Sequence, residues 1–241
     1  MTARRTVLAL AAAVPLLGGC KLVSEVRDAR HQRQLQTDWP WLGRYAADNA
    51  ALAKSGVATD IVFMGDSITE GWQGKRPDYF RPGRVCRGIG GQTTPQMVLR
   101  MMADVIAHRP KFVHIMGGIN DIAGNTGPMT LAQTQDNFAM MTMLARAAGI
   151  GVLLGSVPPT AGIPWQPDLA TVEPVRALNR WLRDYAGHQG AAYVDYTPVL
   201  ATPDGAMRPE YTNDGLHPQA PGYAAMETAL TPVLRAKGLP V

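Results

Sequence analysis

Cysteine is almost missing from this chain: Cys20 and Cys86 are the only two in 241 residues, too few for a disulfide-stapled scaffold. Histidine is nearly as scarce, at five. His108 and His114 show no ligand spacing with cysteine, acidic or other histidine residues, and His188 closes a helical pattern, so neither a catalytic metal nor any other cofactor is expected. Charged residues amount to 17% with a net charge of +4, and the basic ones nowhere gather into a face, which excludes nucleic acid as a partner. The apolar run Val7 to Gly19 falls short of the roughly 20 residues that a permanent spanning helix needs. Internal repeats are absent. Serine is the scarcity that matters most, because the chain holds only four: Ser24, Ser55, Ser67 and Ser156.

What is present agrees with one domain, since 241 residues at 46% hydrophobic content can bury a substantial core. Strand-like runs near 60–64, 85–88, 111–117, 150–155 and 191–195 alternate with helical patterns near 95–108, 130–148, 172–187 and 220–236. That alternation predicts an α/β fold with a parallel central sheet, and right-handed crossovers make it a three-layer α/β/α, flavodoxin-like arrangement.

Of the four serines only Ser67 ends an apolar, β-prone run. Asp60-Ile61-Val62-Phe63-Met64 exits through Gly65, which places Ser67 at a strand's C-terminal end, where open parallel sheets bind ligands. Its plainer role is the N-cap of the next segment. Near the other end, Asp214-Gly215-Leu216-His217-Pro218 lies in a turn-rich loop before the helical pattern from about Pro221 to Lys237. A turn lets residues three apart meet, so Asp214 can take the Nδ1 proton of His217 and leave Nε2 for a serine hydroxyl. The same spacing in Asp28-Ala29-Arg30-His31 sits in a polar stretch without such a context. Asp214 has a plainer reading too, as a turn former.

Acyl transfer also needs donors aimed at the developing oxyanion. Arg87-Gly88-Ile89-Gly90-Gly91-Gln92-Thr93-Thr94 offers exposed backbone N–H groups, and Gly117-Gly118-Ile119-Asn120-Asp121 places the Asn120 amide at another strand's end. Either loop alone also suits an ordinary strand-to-helix turn. No Walker lysine and no G-x-G-x-x-G follows either one.

Taken together, Gly65-Asp66-Ser67, the loop glycines, Gly118-Ile119-Asn120-Asp121 and Asp214-Gly215-Leu216-His217-Pro218 resemble, in order, the blocks of the SGNH or GDSL-type serine hydrolases. The likeness spans Ile61 to about Leu234 and implies the same three-layer fold. It implies Ser67 as nucleophile, His217 and Asp214 as base and orienting acid, and the Ser67 N–H, Gly91 and Asn120 as the oxyanion hole, with Gly90 the alternative to Gly91. The α/β-hydrolase elbow G-x-S-x-G is not matched, since position 69 is Thr69. Phe63 to Trp72 and Gly124 to Thr130 look most like bacterial GDSL-type acylhydrolases near the platelet-activating-factor acetylhydrolase-like esterases.

Arg4 and Arg5, the short apolar run and Leu17-Gly18-Gly19-Cys20 resemble a bacterial lipoprotein export signal, with lipidation at Cys20 and plain secretion as the alternative. The expected layout is a signal over 1–19, a polar tether over 20–40 and the hydrolase domain over 41–241. The protein is then a membrane-anchored lipoprotein of the periplasm or cell surface; Sec or twin-arginine export both remain open. Cys86, a rival nucleophile on paper, sits in a strand-like stretch and reads as packing. Trp165, in the proline-rich stretch Val157 to Pro167, and Trp72 either line the substrate site or pin their segments to the core. Met97, Met101, Met102, Met140, Met141 and Met143 read as core.

The expected activity is hydrolysis of short acyl esters, acetyl groups on carbohydrate foremost, through an acyl-enzyme. A lysophospholipase or thioesterase is the alternative within catalysis. A non-catalytic, glycan-binding surface lipoprotein is the alternative outside it.

Overall fold

Five short runs become strands: β1 (Ile61–Gly65), β2 (Arg84–Gly88), β3 (Phe112–Met116), β4 (Gly151–Gly155) and β5 (Ala192–Val194). The computed structural model describes Ala29 and residues 32–241. The export signal and Cys20 therefore lie outside the described residues. Residues 32–37 are helical in a unit that ends at Trp39, and a second unit, Pro40–Val241, holds everything that follows.

All strand pairs are parallel, in the order β2-β1-β3-β4-β5. This is the flavodoxin-like order, in which the chain steps one way from β1 to β2 and the other way to β3. Register places Gly65 opposite both Gly88 and Met116, so the chain leaves β1, β2 and β3 at one level. Every residue of β1 is buried, as a central strand covered on both faces must be.

The helices are α1 (Ala46–Ser55) before β1, α2 (Ser67–Lys75), α3 (Thr94–Asp104), α4 (Ile119–Ile122), α5 (Leu131–Ala147) and α6 (Val172–Gln189) between strands, and α7 (Thr197–Leu200) and α8 (Ala220–Ala236) after β5. Right-handed crossovers in opposite directions put α2 on one face of the sheet and α3, α5 and α6 on the other. Accordingly α3 packs on α5 and α5 on α6, whereas α2 packs on α8. Capping boxes start two of them: Thr93 with Gln96 opens α3, and Thr130 with Gln133 opens α5. Among the described residues no helix is long and apolar enough to cross a membrane.

The methionines divide rather than cluster. Met97, Met101 and Met141 are fully buried, but Met102, Met140 and Met143 are at least half exposed, contrary to the all-core expectation. Met101 and Met102 are neighbours about 100° apart around α3, as are Met140 and Met141 around α5, so both members of a pair cannot face the sheet.

At the level where β1 and β2 end, a methyl group has nowhere to go. A Cβ on Gly88 would overlap the Glu70 nitrogen and stand 2.7 Å from the Thr69 carbonyl carbon and 2.8 Å from the Asp66 oxygen, all backbone of the turn that carries Ser67. Gly88→Ala is expected to destabilise the fold by roughly 3 kcal/mol or more, above the usual overpacking cost because no side chain can yield. Urea unfolding measures this, and an unchanged midpoint would show the contact is not as tight as described.

Candidate active site

β1 delivers Ser67 through a sharp exit. Asp66, not Ser67, caps α2: its carboxylate accepts the Ile68 N–H at 2.9 Å. Ser67 is the first helical residue, its hydroxyl free for another partner and its N–H among those with no intrahelical acceptor. The capping reading of Ser67 is thereby set aside.

The partner of Ser67 comes from 150 positions downstream: Ser67 Oγ lies 3.0 Å from His217 Nε2. His217 Nδ1 lies 2.7 Å from Asp214 Oδ2. The other Asp214 oxygen accepts the N–H groups of Leu216 (3.0 Å) and His217 (2.8 Å) and the Thr212 hydroxyl (3.1 Å). Partial burial works against the charge, yet the His217 and Leu216 hydrogen bonds outweigh it and draw the Asp214 carboxyl down to about 2. An ionised carboxylate only accepts, so Nδ1 carries the imidazole proton and Nε2 is left as acceptor toward Ser67. This loop closes at its base, where the Gln219 N–H donates to the Tyr211 carbonyl at 2.7 Å.

Gly90 and Gly91 take different parts. The Gly90 N–H donates to Glu70 Oε2 at 2.8 Å, and Glu70 is held in turn by Arg44 at 3.0 Å. A Cβ on Gly90 would stand 3.7 Å from the Ser67 Cβ, so this loop lies directly against the serine. Gly91 is exposed and left-handed at φ +76°, as only glycine adopts without strain. Asn120, buried in α4, donates Nδ2 to the Gln92 carbonyl at 2.9 Å and accepts from Asn125 Nδ2 at 2.8 Å. Its loop is therefore tied to the glycine loop. Trp165 is 48% exposed, its ring centroid 6.4 Å from that of His217, and its indole N–H donates to Asn125 Oδ1 at 3.3 Å.

Trp72 is elsewhere. It is fully buried, stacked between Tyr79 and Tyr223, with its indole N–H on Glu227 at 3.1 Å. The substrate-lining expectation for Trp72 is corrected: its place on α2 turns it into the α2–α8 core. Cys86 is likewise buried in β2, and burial pushes its thiol up to about 11, which leaves it a packing residue. His114 is buried on Tyr196, at 2.8 Å, and burial alone lowers it to about 3. Among the described residues no group of three histidine, cysteine or acidic side chains is set to hold a metal.

Residues 63–225 match the model of the GDSL-like lipase/acylhydrolase family. The chain belongs to that family. A GDSL-like lipase from Bacteroides thetaiotaomicron is 38% identical, with a TM-score of 0.78 over 83% of this chain and 100% of that one. An acetylxylan esterase from Geobacillus stearothermophilus, 20% identical, shares the fold at a TM-score of 0.56 over 77% of this chain and 96% of that one. The uncharacterized lipoprotein YqeF of Bacillus subtilis is 35% identical over 79 residues, 27% of this chain, so the match spans about a third (32%) of that protein's length.

As a GDSL-like acylhydrolase the chain hydrolyses esters. Several residues around the candidate site of this acylhydrolase were not read from the sequence: Glu70, Thr212, Asn125 and the carboxyl of Asp66. Glu70 stands one helical turn after Asp66 and Thr212 two residues before Asp214, a spacing that suits a capping turn. Asn125 carries no such signal. Asp66 is buried beside this group, one oxygen capping Ile68 and the other, Oδ2, without a partner. Burial pushes its carboxyl up to about 6 against the pull of the Ile68 N–H and of His217.

The folded acylhydrolase thus holds the Asp66 proton more tightly than the unfolded chain. The contribution of Asp66 to stability should fall as pH rises from about 4, the ordinary carboxylate value, through about 6, while buried His114 acts in the opposite sense over the same range, so the Asp66 effect is read as a difference between variants. Asp66→Asn keeps an oxygen for Ile68 but does not titrate. Relative to wild type it should gain on the order of 2 kcal/mol between pH 4 and pH 7.5. Urea midpoints at the two pH values read this, and a pH-independent difference would contradict it.

Proposed function

We propose that Ser67, His217 and Asp214 are the catalytic triad of an esterase acting on short acyl esters, acetyl groups on carbohydrate foremost. The observation that carries the reading is the unbroken chain of contacts from Ser67 Oγ to His217 Nε2, at 3.0 Å, and from His217 Nδ1 to Asp214 Oδ2, at 2.7 Å. Ser67 Oγ attacks the ester carbonyl carbon while its proton passes to His217 Nε2. The carbonyl oxygen becomes an oxyanion facing the N–H groups of Ser67 and Gly91 and the second Nδ2 hydrogen of Asn120, the first being held by the Gln92 carbonyl. Gly91 is favoured over Gly90 because the Gly90 N–H is already spent on Glu70. Collapse expels the alcohol, which takes the proton from Nε2 and leaves an acyl-serine. Water, deprotonated by His217, then releases the carboxylic acid and restores Ser67.

For the substrate, support is of two kinds: the fold is shared with an acetylxylan esterase, and Trp165 presents an open aromatic face beside His217. Aromatic faces suit the apolar faces of sugar rings. We further propose that residues 41–241 are the hydrolase domain, that 20–40 tether it, and that 1–19 are an export signal with lipidation at Cys20. The partial match to lipoprotein YqeF supports the anchor.

Ser67→Ala should abolish turnover of p-nitrophenyl acetate and labelling by a fluorophosphonate; labelling of neither protein would favour a non-catalytic glycan binder. Asn120→Ala should lower kcat by roughly 10²–10³-fold with little change in KM, as for an oxyanion donor. Asp214→Asn should also depress kcat strongly by misorienting His217. Across a p-nitrophenyl ester series activity should peak at the shortest acyl groups and extend to acetylated xylooligosaccharides. An optimum on long chains would indicate a lysophospholipase or thioesterase instead.

A further inference from the structure

Asn125 stands where three parts of the site meet. The short helix α4 ends in a left-handed glycine: Gly124 has φ +66°, its N–H donates to the Asp121 carbonyl and the Asn125 N–H to the Asn120 carbonyl, each at 3.0 Å. This cap folds residue 125 back over residue 120. The Asn125 amide then uses both ends. Nδ2 donates to Asn120 Oδ1 at 2.8 Å and to the Gly91 carbonyl at 3.3 Å, while Oδ1 accepts the Trp165 indole N–H at 3.3 Å. The next residue anchors the turn, Thr126 Oγ1 meeting Thr93 Oγ1 at 2.9 Å.

The consequence falls on Asn120. A primary amide is nearly symmetric in shape and can turn over by 180°, which would exchange its donor for its acceptor. Here Nδ2 faces the Gln92 carbonyl and Oδ1 faces the Asn125 amide nitrogen. Turned over, the Asn120 oxygen would meet a carbonyl oxygen and its nitrogen would meet another donor. Without Asn125 only one of those two penalties remains.

We propose that Asn125 is a positioning residue that locks the Asn120 amide with its nitrogen toward the reacting carbonyl, and that the same side chain ties this lock to Trp165 at the substrate rim. The inference rests on Asn120 being an oxyanion donor. Asn125 is exposed, so a merely structural role predicts a small loss of stability and no selective effect on turnover.

The test measures kcat and KM on p-nitrophenyl acetate for wild type, Asn120→Ala, Asn125→Ala, Asn125→Asp and the Asn120→Ala/Asn125→Ala double variant, with Ser67→Ala alongside. Asn125→Asp keeps the shape and an oxygen for Trp165 but has no N–H to give. Both Asn125 variants should lose about 10–100-fold in kcat with KM within about twofold, and Asn125→Ala should cost less than about twofold once Asn120 is already alanine. Wild-type kcat in the Asn125 variants, or losses that simply multiply in the double variant, would overturn the lock. Turnover retained by Ser67→Ala would instead overturn the serine-hydrolase reading on which the inference stands.

Discussion

One buried cation underlies the loops that build the candidate site. Arg100 of α3 is fully buried and pairs with Asp104, one turn on, at 2.6 Å. Its remaining donors go to the carbonyls of Arg87, at 3.2 Å, and Gly65, at 3.4 Å, and to the Gln92 side chain, at 2.7 Å. These are the ends of β2 and β1 and the loop that follows β2. Removing a guanidinium from water costs several kcal/mol, and only a complete set of partners offsets it. The arrangement therefore exists only with both strand ends and the glycine loop in register, and the Gln92 carbonyl that receives Asn120 is fixed as part of it.

Asp66 of the Ser67 turn and Asp214 of the His217 turn are separated by environment alone. Asp214 is partly open and takes four donors, so it stays ionised and can hold a proton-bearing Nδ1. Asp66 is buried with one donor and an orphaned oxygen, so its charged form is disfavoured. Sequence proximity would favour Asp66 as the acid beside Ser67. Solvation and donor count favour Asp214, and the contacts follow them.

The strands were legible because all but β2, with its two arginines, are short apolar runs ended by glycine or a polar residue, and all five lie within one residue of the expected bounds. The long helices α3, α5, α6 and α8, of 11 to 18 residues, were legible by their length between turn formers. α2 was not, because its length is nine residues and two of them, Gly71 and Gly74, are glycine. Missing α2 hid the fate of Trp72, which only a helix turns into the core. The triad residues stood out by type and order. Asn125 and Arg100 did not, since an asparagine in a glycine turn and an arginine in a helix look like surface residues until the chain is folded.

Trp72 bears on the site after all, through alignment rather than substrate. Ser67 rides on α2 and His217 on the closed loop that enters α8, so the distance between them is set where those helices meet. Tyr223 of α8 donates its hydroxyl to the Ile68 carbonyl at 2.8 Å and packs over Gly71, and Trp72 stacks on its ring. Glu227, one turn further, binds Trp72 and Arg76 together. A rigid aromatic and ionic seam of this kind resists sliding, because shifting either helix breaks stacking and buried hydrogen bonds at once. The contact between Ser67 and His217, 150 residues apart in the chain, is thus supported by the seam that joins α2 to α8.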